Sequence, residues 1–208
     1  MFQNNKDVFL AGLAGLLIGF LALPILLNLS FADVLGNSWL GISGFVIGIA
    51  ILTVAGMFIA KSLALYFPLL LQLAKFIVVG VLNTLVDLGV LNLLILVTDV
   101  TLGPFYVIFK SISFIAAVSN SYVWNKYWTF ESKSSETKEI VQFFAVSVIG
   151  FLINVGIASS IANFVSVVGV SDKLMANFGA LSGTIAGLMW NFLGYKFIVF
   201  KKSSQFTN

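Results

Sequence analysis

Asp87 lies inside a long apolar run, KFIVVGVLNTLVDLGVL at residues 75–91, and sets the chemical question this sequence poses. It stands twelve residues beyond Lys75, ~18 Å along a helix and about half way across a hydrocarbon layer of roughly 30 Å. An acid at that depth costs on the order of 3 kcal/mol to insert, so it must face protein or water rather than lipid. Asn83 and Gly80 share its helical face. Lys110, in the next apolar run, comes within side-chain reach of the same depth and could pair with Asp87 across adjacent helices. Such a pair can simply pin two helices together. Embedded ionisable groups are also the usual markers of an ion or substrate path.

The chain has neither Cys nor His, which excludes disulfides, thiolate or imidazole metal sites, cysteine nucleophiles and imidazole bases. No metal or cofactor is expected. All eleven basic residues are Lys and the net charge is only +3, so nucleic acid is not an expected partner. No two carboxylates converge with a base, and the loops are short, so an enzyme is not expected either.

These residues must be positioned by membrane-spanning elements. Of the 208 residues 60% are hydrophobic and 9% charged, with a mean hydropathy of +1.07, outside the range of soluble domains. The pattern predicts an all-α, polytopic membrane helix bundle with six transmembrane helices, over residues 8–29, 39–60, 76–97, 105–128, 140–165 and 176–200. A signal peptide cut after the small-x-small triplet at 30–32 is the rival reading of the first run, which is long for that purpose. Residues 62–74, containing Pro68, read as an interfacial connector. With both termini cytoplasmic, the lysines outside the spans fall on the inner side, with Lys173 alone in an outer loop. The expected location is therefore the cell membrane, in a multi-pass arrangement within the lipid bilayer.

The last four spans resemble two copies of one hairpin. A shift of 67 places Phe76, Val79, Val81, Leu85 and Gly89 over Phe143, Val146, Val148, Leu152 and Gly156, and Asp87 over Asn154. A shift of 70 places Lys126 over Lys196 and Phe130 over Phe200. Each copy crosses twice, so the copies are parallel repeats about an axis along the membrane normal. Small and polar residues recur at helical spacing: Ser113, Ala117 and Asn120 or Ser121 in the fourth helix, Ser147, Gly150 and Asn154 in the fifth, and Asn177, Thr184, Gly187 and Asn191 in the sixth. Close helix packing would explain these stripes as well as a polar path would. The ends WNKYWTF and YKFIVFKK combine lysines with aromatics, as interfacial anchors do. Together with Lys75 they would also make a basic vestibule at phosphate depth.

Residues 72–202 resemble the GtrA family of small four-span membrane proteins, on KFIVVGVLNTLVDLGVL, SYVWNKYWTF, QFFAVSVIGFLINVGI and NFLGYKFIVF. Where that family commonly has Arg before the closing aromatic, this chain has Lys126 and Lys196. Residues 1–71 would then be an N-terminal extension of two spans with the connector, and 203–208 a cytoplasmic tail. The resemblance implies translocation of a polyprenyl-phosphate-linked monosaccharide, such as undecaprenyl phosphate glucose, to the outer leaflet for glycosylation of a surface polysaccharide or teichoic acid. It implies a polyprenyl-phosphate glycosyltransferase as a working partner, and a homo-oligomer is compatible with the small-residue faces. The substrate-binding residues would be Asn125, Lys126 and Lys196 at the inner ends, helped by Lys75, then Asn83, Asp87, Asn120, Asn154 and Asn191 along the helices, with Lys110 receiving the phosphate nearer the outside. A non-catalytic scaffold for a glycosyltransferase, and a proton-coupled transporter of a soluble cation using Asp87, remain open alternatives at this point.

Overall fold

Within an apolar solvent every backbone N–H and C=O must be satisfied inside its own segment, and helices do this for a chain of this composition. The computed structural model describes residues 2–28, 38–100, 103–133, 137–165 and 172–200, and every regular element among them is helical. The helices are α1 (Phe2–Asn28), α2 (Trp39–Ala64), α3 (Leu69–Thr98), α4 (Gly103–Trp124), α5 (Thr137–Phe164) and α6 (Asp172–Gly194). Four of these contain stretches long and apolar enough to cross a membrane: Lys6–Leu23, Trp39–Ala64, Leu69–Thr98 and Thr137–Ile161. The triplet at 30–32 and the tail after Phe200 fall outside the described residues.

The helix ends follow local chemistry. Ser38 accepts the Gly41 N–H at 3.1 Å and opens α2. Pro68 sits immediately before α3, where its missing N–H costs nothing. The expected connector over 62–74 is therefore shortened to the four residues between α2 and α3, because Pro68 starts a helix here rather than breaking one. Asp99 closes α3 in a left-handed conformation (φ 57°), returning its N–H to the Ile95 carbonyl at 2.7 Å.

The fourth and sixth helical segments run to Thr129 and Val199, close to their expected ends, but not in α pitch throughout. Each passes into a five-residue π-helical turn, Asn125–Thr129 after α4 and Tyr195–Val199 after α6. In each, the N–H of the following phenylalanine reaches back five residues, Phe130 to the Asn125 carbonyl and Phe200 to the Tyr195 carbonyl, both at 2.8 Å. The two turns are 70 residues apart, the shift that superposes the two lysines.

The chain divides into two compact units, Met1–Glu131 and Ser132–Asn208. In the first, α1 packs against α2 and α3, and α3 against α4. Its core is Ala11, Ala14, Ile18, Met57, Val79, Leu82 and Trp128. The α1–α2 crossing is close: a Cβ added at Gly15 would stand 2.6 Å from the Ala50 Cα. In the second unit α5 and α6 form a tightly packed hairpin, with Phe143, Val146, Phe192, Tyr195, Val199 and Phe200 buried. Of the pairs aligned at a shift of 67, Phe76 and Phe143 are both buried, as are Val79 and Val146, whereas Gly89 is buried and Gly156 exposed.

Because backbone lies where a larger side chain at Gly15 would go, Gly15→Leu should lower stability in detergent by about 1–3 kcal/mol, read from thermal unfolding. Gly44→Ala, which meets open space inside α2, should leave it unchanged or raise it by up to about 1 kcal/mol.

Candidate functional site

Asp87 is half-buried on α3, and its Oδ1 accepts a hydrogen bond of 2.6 Å from the Ser113 hydroxyl of α4, which is fully buried. A carboxylate in an apolar helix is thus met by a donor on the neighbouring helix, as its desolvation requires. The Lys110 side chain lies outside the described residues, so the expected pair with Asp87 does too. So does the side chain of Asn177.

Two more amides flank this bond on the same two helices. Asn83 Oδ1 on α3 and Asn120 Nδ2 on α4 are both buried without a protein partner. Ser113 and Lys126 are thirteen residues apart, so the Asp87–Ser113 bond lies ~20 Å from the end of the hairpin that carries the lysine.

At that end the π-turn turns Asn125 and Lys126 inward. Asn125 is 1% exposed, its Nδ2 donating to the Ser121 carbonyl (2.9 Å) and hydroxyl (3.2 Å) while its Oδ1 has no protein partner. Lys126 is also buried: its Nζ donates to the Tyr122 hydroxyl at 2.9 Å and lies 5.1 Å from the Tyr122 ring centre and 5.8 Å from that of Tyr127. Aromatic neighbours at these distances take the place of part of an ammonium's water.

The second unit repeats this arrangement. Lys196 is half-buried, with Nζ 6.0 Å from the Phe192 ring centre and 5.3 Å from that of Phe197. In both units the rings come from the residue four before the lysine and the residue one after it. Along the hairpin, the Asn191 amide lies directly over Gly150, with its Oδ1 buried and unpartnered. Asn154, half-buried, approaches Gly187: a Cβ there would be 3.1 Å from the Asn154 Cβ. Ser147 and Tyr195 share a hydrogen bond of 2.6 Å, beneath a Phe143–Tyr195 stack with ring centres 4.3 Å apart.

Lys75 does not take the place expected for it in an open basic vestibule. It is 5% exposed, and its Nζ sits 2.7 Å from Asp7 Oδ1 and 3.3 Å from Glu131 Oε1. The physical reason is burial, because the first helix brings a carboxylate to neutralise an ammonium that packing has taken out of water. Asp7 also accepts the Trp128 Nε1–H at 3.0 Å and faces Lys61 at 3.9 Å. Asp7 and Glu131 were missed by the reading of the sequence, where the only signal was an acid at the mouth of an apolar run.

Residues 75–200 match the family described as GtrA/DPMS, transmembrane domain, a segment running from the buried Lys75 to the Phe200 that closes the second π-turn. The chain belongs to this family. It is also 35% identical, over 138 residues covering 63% of this chain and 80% of the other, to a protein of Bacillus subtilis (strain 168) named uncharacterized membrane protein YngA. No solved structure matches the chain. As a GtrA/DPMS protein with several apolar helices, it is a multi-pass membrane protein. Asp7 and Lys61 lie outside the matched segment, and Lys75, Trp128 and Glu131 lie inside it.

Trp128→Phe removes the N–H half of a buried indole, deleting one hydrogen bond to a charged group and leaving a small cavity, so it should cost about 2–4 kcal/mol in thermal unfolding. Tyr127→Phe, at an exposed position, should cost less than about 0.5 kcal/mol.

Proposed function

We propose that this GtrA/DPMS protein translocates a polyprenyl-phosphate-linked monosaccharide, such as undecaprenyl phosphate glucose, from the cytoplasmic to the outer leaflet. The observation that carries this reading is Asp87, a carboxylate midway along an apolar helix, bonded by Ser113 and flanked by unpartnered amide atoms of Asn83 and Asn120. A sugar crossing hydrocarbon needs replacements for its water, and each unsatisfied polar group costs several kcal/mol there. Hydroxyls passing along α3 and α4 would bond to these amides and to the carboxylate, with the prenyl tail left in lipid.

In this scheme the chain crosses the membrane six times with both termini cytoplasmic, and the last four spans act as two parallel repeats. Lys126 and Lys196 receive the phosphate at the inner ends of their hairpins, their aromatic neighbours having already removed part of their hydration. Lys110 receives it nearer the outside. Asn154 and Asn191 serve the second hairpin as Asn83 and Asn120 serve the first. The protein makes or breaks no covalent bond, and a polyprenyl-phosphate glycosyltransferase supplies the substrate.

The test is headgroup sidedness in proteoliposomes loaded with isotopically labelled polyprenyl-phosphate glucose. Wild-type protein should abolish sidedness, and Asp87→Asn and Lys126→Ala should each slow this by about tenfold or more, the equivalent of about 1.4 kcal/mol or more in the barrier. Sidedness that persists with wild-type protein across several sugars would sink the proposal. So would equal rates in wild type, Asp87→Asn and Lys110→Met.

A further inference from the structure

One buried charged cluster has no part in the translocation scheme. Asp7, in the second turn of α1, is 6% exposed, and three donors from three other elements of the same unit surround its carboxylate. Lys75 Nζ of α3 stands 2.7 Å from Oδ1, Trp128 Nε1 of the π-turn 3.0 Å from the same oxygen, and Lys61 Nζ of α2 3.9 Å from Oδ2. Lys75 is also 3.5 Å from the Trp128 carbonyl and 3.3 Å from Glu131 Oε1. Gln72 ties the start of α3 to the same turn by donating to the Thr129 carbonyl at 3.3 Å.

Two ammonium groups and a ring N–H aimed at one carboxylate make a donor set for an oxyanion. A phosphate oxygen at the position of Asp7 Oδ1 would accept from Lys75 and Trp128, and a second oxygen would face Lys61. The charge argument agrees. Withdrawing Asp7 leaves the buried Lys75 with the exposed carboxylate of Glu131 as its remaining ion-pair partner among the described residues, a deficit that another anion at the same place would relieve. Lys75 and Trp128 belong to the family segment, whereas Asp7 comes from the helix that precedes it.

We propose that Lys75, Trp128 and Lys61 form an anion site for a phosphate group, and that α1 occupies it with Asp7 as a tethered competitor. The N-terminal helix then supplies the Asp7 carboxylate in the ligand's place, at a phosphate site distinct from Lys126, and the proposal does not depend on transport. The shared chemistry is the phosphate oxyanion, carried either by a lipid headgroup or by free phosphate.

The experiment is thermal unfolding of the full chain in nanodiscs, comparing wild type, Asp7→Ala, Asp7→Asn and the double variant Asp7→Ala/Lys75→Met. Each is measured in sodium chloride and in inorganic phosphate at matched ionic strength, then in discs of phosphatidylcholine with and without phosphatidic acid. Either single variant should melt below wild type in chloride and regain roughly 5 °C with saturating phosphate or phosphatidic acid. Wild type and the double variant should gain less than about 1 °C. A gain with phosphate alone identifies free phosphate as the ligand source, and a gain with phosphatidic acid identifies a lipid headgroup. Equal gains in wild type and the single variants, or a gain surviving in the double variant, would overturn the proposal. It is overturned equally if neither single variant folds in any of these anions, since a ligand for the site would replace the missing carboxylate.

Discussion

A charge removed from water must be compensated by its neighbours, and the first unit depends on one such meeting, the ion pair of Asp7 with Lys75. The pair fastens α1 to the first turns of α3, and through the Trp128 indole it fastens both to the turn that follows α4. Three elements distant in sequence are thereby held at one level. The second turn of α3 thus carries a buried Lys75, and the break after α2 is confined to residues 65–68. The apolar core of Ala11, Ala14, Ile18 and Leu82 continues the same contact along the helices.

Within each unit the polar groups obey a shared plan with one exchange. Aligned at 67, Asn83 of α3 corresponds to Gly150 of α5; aligned at 70, Ser121 of α4 corresponds to Asn191 of α6. At these two positions the amide is on the first helix of the first hairpin and on the second helix of the second, where Asn191 lies directly over Gly150; each hairpin carries a further amide on its other helix, Asn120 on α4 and Asn154 on α5. The lysines show no such exchange. Lys126 and Lys196 sit between aromatic rings drawn from the same relative positions, although one neighbour is Tyr122 and the other Phe192. The hydroxyl makes the difference, since Tyr122 accepts from Lys126 and Phe192 has nothing to offer Lys196 but its face.

The sequence makes the helices legible because composition alone forces helix on a chain in lipid, and hydrophobic runs mark where each one lies. Asp87 was legible for the same reason, being expensive wherever it is placed, and its partner Ser113 stood in a stripe of small polar residues. Asp7 was not legible. It sits in the polar stretch MFQNNKD, where an acid is ordinary, and only tertiary packing shows that it is buried. Lys75 was misread by the same logic in reverse, as a lysine at a helix end normally faces headgroups. The π-turns escaped because five residues are too few for periodicity to separate one helical pitch from another, so Asn125 and Lys126 were placed on the helix without their inward turn.

The closing turns make chain length itself a constraint. A π-turn holds one more residue than the α-turn it replaces while the helix on either side keeps its phase, so Phe130 and Phe200 close their turns five residues after Asn125 and Tyr195. Loss of one residue there would let the turn close in regular α pitch, four residues back, with the phenylalanine still in its buried seat. What would change is the wide turn itself, where Asn125 and Lys126 face inward, with every remaining side chain chemically intact. The extra residue is therefore held on the inner side of the turn, and its loss would be felt at the amide and the lysine rather than at the ring that closes them.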